Sequence, residues 1–344
     1  MEVPSILLNR ILSEMVQKNG SDLHLTVGGP PMLRISGQLS PLAGYEMLSA
    51  EIINKIADTL LNAEEKAEVK EKKGLILVKN ISNFRFRLNV FYQKGLIALS
   101  FHFIPAAIKN FHELGFDEQL SAALLKAGSG LLIIAGAYGS GKTTTAVSLI
   151  EEFNKSKPLN IVTVEEPIEY LLVGKKSLIA QREVGKDALT VAEALDYCLS
   201  EDVDLAYINE IKNEKIFNSA VSKIFELASG DCLVILEVRA DNVERVLEKI
   251  LAGFGAGQAE AARYNLADIL IGALVQRLVK RRGGGLVLAN EVLLNNSAAK
   301  SLIREGKIYQ LRSVIQTSRR DGMISLEKSL ENLMNAGEIR RGDV

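Results

Sequence analysis

The sequence predicts an α/β protein in two parts, a small α+β domain followed by a larger domain built on a mainly parallel sheet. A length of 344 residues exceeds what one small domain needs. In the second half, apolar strand-like runs at 131–135, 161–165, 205–208 and 232–238 are separated by stretches of helical period. That alternation is the mark of βα units and a parallel sheet. Before residue 105 the strand candidates alternate apolar with polar instead, as half-exposed strands do.

Residues 5–18 place Ile6, Leu7, Arg10, Ile11, Glu14 and Met15 at helical spacing and predict an amphipathic first helix. Leu23, Leu25 and Val27 alternate with polar positions as a strand, and Gly28-Gly29-Pro30-Pro31 is a turn into a short strand, Met32 to Ile35. Residues 49–73 read as one helix, opened by Ser49 and ended by Gly74, with a solvated charge run that pairs Glu68 with Lys72. Phe84 to Val90 and Ile97 to Phe101 are further strands, the first with Phe84, Phe86, Leu88 and Val90 on one face and Arg85, Arg87 and Asn89 on the other. The first domain therefore covers 1–105, a linker 106–112, and the second domain 113–344. From about 241 onward the pattern is mostly helical, broken by Gly283-Gly284-Gly285 and a strand candidate, Leu286 to Ala289.

The bulk numbers exclude several classes. A net charge of −1 gives no basic track for nucleic acid. Cys198 and Cys232 cannot make a disulfide framework or a four-cysteine zinc site, and both read as buried free thiols. The N-terminus has no signal-peptide pattern, and the run Leu131 to Ala135 is far too short to span a bilayer, so a cytoplasmic chain is expected. His24 and His112 have no partners at metal-ligand spacing and are assigned to structure. Lys280-Arg281-Arg282 reads as the end of a helix capped by the three glycines, or as a small basic contact.

The chemistry begins at Gly136-Ala137-Tyr138-Gly139-Ser140-Gly141-Lys142-Thr143, which has P-loop spacing between an apolar strand and a helix. Glycines let successive N–H groups turn towards one phosphate, and the helix N-terminus favours the same charge. The expected ligand is Mg²⁺-ATP, held by Gly136, Gly139, Ser140, Gly141, Lys142, Thr143 and Thr144. Lys142 reaches the β- and γ-phosphates and the Thr143 hydroxyl meets the metal. Such a site needs acids at the ends of neighbouring strands. Glu210 ends one apolar run, and Glu165, Glu166 and Glu169 lie at the end of another. Glu210 is assigned to the metal through water and, with Glu165 and Glu166, to catalysis; Glu169 is equally a helix N-cap.

With these residues in place the chain resembles the PilT-type ATPases of the type IV pilus, within the secretion-ATPase superfamily. The resemblance runs through Ser21-Asp22-Leu23-His24-Leu25, Phe84-Arg85-Phe86-Arg87-Leu88-Asn89, the P-loop, Glu165-Glu166-Pro167-Ile168-Glu169, Gln181-Arg182-Glu183-Val184 and the segment ending in Glu210. It continues into Ala299-Lys300-Ser301-Leu302-Ile303-Arg304-Glu305, Ile315-Gln316-Thr317 and Gly322-Met323. It implies a PAS-like N-terminal domain joined to a RecA-like P-loop ATPase domain in a homo-hexamer. It also implies a cytoplasmic motor at the inner-membrane pilus base that works with a platform protein, and with a paralogous pilus ATPase in some arrangements. Arg85 and Arg87 take the place of arginines that complete the site from the N-terminal domain, although two arginines on a strand face can equally be a solvated face.

The departures from the family pattern cluster near the chemistry. Glu237-Val238-Arg239 stands where the family has Thr-x-His, Asn209 replaces glycine beside Glu210, and Lys212-Asn213 replaces Arg-Asp. Glu166 replaces aspartate, His102 replaces arginine, and Tyr138 replaces threonine. Arg239 either contacts phosphate or is held by Glu237; the salt bridge is the favoured expectation. Two functions follow: an ATP-hydrolysing retraction motor, or a nucleotide-binding accessory paralogue with weak turnover. A secretion ATPase with an extra N-terminal domain and a four-cysteine element fits neither the length nor the cysteines.

Overall fold

The computed structural model describes residues 3–343. The chain folds into two compact units, one made of the chain up to Ala107 together with Lys280–Leu286, the other of Ile108–Val279 together with the chain from Val287 onward.

In the first unit, helix α1 (Pro4–Gln17) starts with proline at its first position, where no amide hydrogen is needed, and buries Leu8, Ile11, Leu12 and Met15. Strands β1 (Gly20–Leu25), β2 (Met32–Ile35) and β3 (Gln38–Pro41) follow, then α2 (Ala50–Leu60) and α3 (Ala63–Lys72). Strands β4 (Gly74–Ile81), β5 (Phe84–Gln93) and β6 (Leu96–Ile104) complete an antiparallel sheet of order β3-β2-β1-β6-β5-β4. Phe86, Leu88 and Val90 of β5 are fully buried, and Arg85, Arg87 and Asn89 take the opposite face, as the period of two requires. One expectation fails. Residues 49–73 form two helices, because the Asn62 side chain accepts the Glu65 amide hydrogen while Glu65 reaches back to the Asn62 amide. That reciprocal cap starts a new helix instead of continuing the old one. Lys73, in a left-handed conformation, ends it, and Gly74 already belongs to β4. The Glu68–Lys72 pair forms at 2.8 Å on the exposed face.

The second unit opens with α4 (Glu118–Lys126), β7 (Gly130–Gly136), α5 (Lys142–Ser156), β8 (Asn160–Glu165) and β9 (Leu178–Glu183). Next come α6 (Val191–Ser200), β10 (Leu205–Ile208), α7 (Glu214–Ser229), β11 (Leu233–Val238), α8 (Val243–Ala252) and α9 (Ala259–Ile269). The remainder is β12 (Leu270–Lys280), β13 (Leu286–Leu294), α10 (Ser297–Arg304), α11 (Leu311–Thr317) and α12 (Leu326–Asn335). The sheet order is β13-β12-β7-β11-β10-β8-β9, and the pairs from β12 through to β9 are parallel. Every residue of β7 is buried, as befits a central strand covered on both faces. Leu131, Ile133 and Ala135 join the face covered by α6 to α9, while Leu132 and Ile134 face α4 and α5. The α/β architecture agrees with the sequence.

Two readings of the C-terminal half are corrected. Residues 270–280, taken into a helical region, form β12, whose Gly272-to-Gln276 stretch is buried and paired to β7. Lys280-Arg281-Arg282 consequently ends a strand, not a helix, so no helix dipole acts on it. Among the described residues no helix is long and apolar enough to cross a membrane.

Candidate active site

The C-terminal ends of β7, β8, β10 and β11 converge on the loop between β7 and α5. Parallel strands place their carboxyl ends together, so residues distant in sequence meet there. Gly136 sits so tightly that a Cβ on it would lie 2.3 Å from Ser140 Oγ and 2.6 Å from the Gln276 carbonyl oxygen. Gly139 and Gly141 have φ of 73° and 89°, which only glycine adopts without strain. The Ser140 hydroxyl is buried and has no hydrogen-bond partner, so the loop holds an unspent donor. On β12, Gln276 donates to Thr145 Oγ1 at 2.7 Å, tying the first turn of α5 to the sheet.

Lys142 is 6% exposed and folded back onto its own loop. Its ammonium donates to the carbonyl oxygens of Gly136 (3.2 Å) and Ala137 (3.1 Å) and lies 3.0 Å from Glu210 Oε2. Glu210 stands two residues beyond β10 and leads towards α7, which is capped by Asn213. Neither Glu210 nor Glu165 nor Glu169 caps a helix. Glu165 ends β8, accepts from Thr163 Oγ1 (2.7 Å) and Gln181 Nε2 (3.1 Å), and is 1% exposed. Burial pushes its carboxyl up to about 7; the two hydrogen bonds oppose this, and Glu169 and Glu237 nearby add to it. Glu166, one residue later, is exposed. Thr144 Oγ1 lies 3.4 Å from the Tyr170 hydroxyl.

Sequence reasoning missed the part played by Glu237. Strand alternation puts it on the same face as Leu233 and Ile235, beneath α5, where it is fully enclosed. The Tyr207 hydroxyl donates to Glu237 Oε1 at 2.6 Å. Burial pushes this carboxyl up to about 7 as well, with Tyr207, the Lys142 charge and Thr143 pulling the other way. The expected Glu237–Arg239 salt bridge does not form. The strand ends at Val238, so Arg239 leaves the sheet and is exposed. It lines a cleft of about 400 Å³ with Ala137, Ala240, Asp241, Arg245 and Lys249. Arg85 and Arg87 lie on β5 of the first unit, where Arg85 donates to Asn80 Oδ1 at 3.2 Å.

The open glycine cradle, the spare Ser140 hydroxyl and a lysine beside carboxylates suit a phosphate chain carrying a hard divalent cation. A family model described as type II/IV secretion system protein matches residues 2–283. The chain belongs to that family. Within the type II/IV secretion system family, it is 30% identical over 335 residues to the type IV pilus retraction ATPase PilT of Pseudomonas aeruginosa, covering 97% of this chain and 96% of the relative. It is 31% identical to the type IV pilus ATPase PilU of the same organism, covering 97% and 86%. A crystal structure of the pilus retraction motor PilT with bound ADP superposes with a TM-score of 0.81 at 33% identity, covering 97% and 94% of the two chains. The resemblance to PilT-type ATPases is therefore shown, as is a RecA-like ATPase domain behind an N-terminal domain. Nucleotide binding and ATPase chemistry belong to this family.

Proposed function

We propose that this chain is a hexameric motor of the PilT type that hydrolyses ATP to power type IV pilus retraction and twitching motility. One observation carries the reading: Lys142 of a glycine-cradled loop lies 3.0 Å from the carboxylate of Glu210, which stands at a neighbouring strand end. Backbone N–H groups from Gly136 to Thr144 and the Ser140 hydroxyl would hold the phosphates. Lys142 would exchange Glu210 for phosphate oxygens, freeing that carboxylate. Thr143 and, through water, Glu210 would hold Mg²⁺, which supplies charge neutralisation on the phosphate oxygens when bound. Glu165 and Glu166 would orient the attacking water and accept its proton, and the raised affinity of Glu165 for a proton suits the accepting role. Arg85 and Arg87 would complete the site from the N-terminal domain (1–105), joined through residues 106–112 to the ATPase domain (113–344). The motor would work in the cytoplasm against an inner-membrane platform protein, with no nucleic acid involved.

A second reading is favoured by Glu237, an acid buried beneath α5 at the place where the family pattern has Thr-x-His: a nucleotide-binding partner of another pilus ATPase, with weak turnover. Mg²⁺-dependent phosphate release, set beside the Glu210→Ala protein, separates the two. Turnover that falls at least a hundredfold in the variant supports the motor. Bound ATP with no turnover in either protein gives the accessory role, and unchanged ATP affinity in Lys142→Ala would remove the phosphate-loop assignment altogether.

A further inference from the structure

A carboxylate that serves as a general base needs one oxygen kept open for the proton. On β8, Thr163 and Glu165 are two residues apart and share a face, and parallel pairing sets Gln181 of β9 beside Thr163. The Gln181 side chain also meets the segment that joins β8 to β9. Its Nε2 donates to the Tyr170 carbonyl oxygen at 2.9 Å, and its Oε1 accepts from the Leu172 amide at 2.8 Å. A backbone carbonyl only accepts and a backbone N–H only donates, so these two contacts fix which end of the side chain is which. The second Nε2 hydrogen is thereby committed to Glu165 Oε1, at 3.1 Å. Thr163 Oγ1 donates to the same oxygen at 2.7 Å. Among the described residues Glu165 Oε2 receives no hydrogen bond.

We infer that Gln181 is a positioning residue for Glu165: with Thr163 it occupies Oε1, leaving Oε2 as the oxygen that takes the proton of the attacking water. The inference rests on the ATPase reading above and adds a residue to it. The water oxygen bonds the terminal phosphorus as the bond to the departing ADP oxygen breaks, and the water proton passes to Oε2. Two donors engage both lone pairs of Oε1, so the carboxylate can accept at one oxygen only. The same side chain ties this base to the phosphate-binding helix. Asn154 of α5, fully buried, donates to the Val173 carbonyl oxygen and accepts from the Lys175 amide, both at 2.8 Å. At the first turn of α5, Thr144 Oγ1 lies 3.4 Å from the Tyr170 hydroxyl. Residues 170–175 are thus seated on α5 at both ends, and Gln181 passes that seating on to Glu165. Holding the segment needs only the Tyr170 and Leu172 bonds; the third bond serves the carboxylate.

The test sets steady-state phosphate release beside equilibrium binding of a fluorescent ATP analogue, in the full-length chain, with folding checked by circular dichroism. Gln181→Met keeps the length and removes both polar ends. Gln181→Glu keeps the shape and the acceptor for Leu172 but loses the donor to Glu165. For Gln181→Met the expected kcat is lower by about 10- to 100-fold, the scale of a slightly misplaced catalytic group. KM for Mg²⁺-ATP and affinity for the analogue should stay at their wild-type values. Gln181→Asn, with the donor on a shorter arm, should recover part of the loss, and Gln181→Glu none. In a Glu165→Gln background, Gln181→Met should remove nothing further, because the two act as one unit. Thr163→Val withdraws the other donor from Oε1; it should lower kcat at unchanged KM, and it carries the test if Gln181→Met fails to fold. Wild-type kcat in the folded variants would overturn the inference. So would a loss that appears in KM, or one that adds to that of Glu165→Gln. A wild-type chain that binds the analogue yet releases no phosphate removes the ATPase reading itself, and with it the task given to Gln181.

Discussion

Glu165 is 1% exposed at the end of β8, and burial there pushes its carboxyl up to about 7 from an ordinary value of 4.5. Between those two values the unfolded chain has lost a proton that the folded chain retains. Stability is therefore unaffected below about pH 4, falls as pH rises through the window from 4.5 to about 7, and levels off above it. For one such group the loss is on the order of 3 kcal/mol. Glu237 acts in the same direction for the same reason. Urea unfolding at pH 5 and pH 8 should show the wild type losing stability across that interval and Glu165→Gln losing distinctly less. Parallel profiles for the two proteins would mean that the folded state carries Glu165 ionised throughout. The same side chain shows what a motif can convey. Glu165 and Glu210 were legible because each ends an apolar run beside a P-loop. Glu237 was visible as an unexpected acid, but its partner was misjudged: counting alternate positions from Leu233 turns it beneath α5, where Tyr207 binds it, while Arg239 lies past the end of the strand.

At the scale of elements, the reciprocal cap between Asn62 and Glu65 separates α2 from α3. Asn62→Ala should destabilise the protein by about 1 kcal/mol, the usual loss for a removed N-cap. Denaturant unfolding measures it; nucleotide affinity should stay at its wild-type value, since Asn62 is remote from the phosphate loop in sequence and belongs to the other unit. An affinity change matching the stability loss would contradict that separation. The break was hidden because charged residues on both sides keep helical propensity high, although Asn-x-x-Glu was there to be read. Strand β12 was hidden for a different reason. Its run Leu270 to Val275 is apolar without alternation, since α9 leads straight into it and both of its faces are covered, and a short apolar run does not distinguish helix from strand. Strands β7, β8, β10 and β11 had the same character but were bounded by turn residues and acids, so their ends were clear. The short edge strand β3 is exposed throughout and left no apolar signal at all.

At the scale of the whole molecule, the proposed motor must be an assembly. Sedimentation velocity across protein concentration, with and without nucleotide, should show a species near six chains of 37.6 kDa. A monomer under all conditions would leave the nucleotide site intact and remove the motor. The two cysteines open another route to the molecule's behaviour. Cys198 and Cys232 are buried, and burial pushes their thiols up to about 11 and about 12. At neutral pH about one molecule in ten thousand would carry the reactive thiolate at Cys198, and fewer at Cys232. The natural chain is thus close to silent towards maleimide dyes without any cysteine being removed. Met47, 73% exposed in the first unit, and Leu189, 82% exposed in the second, are open positions for Met47→Cys and Leu189→Cys. Dyes at that pair would report the spacing of the two units during a nucleotide cycle, one molecule at a time, on an otherwise native background.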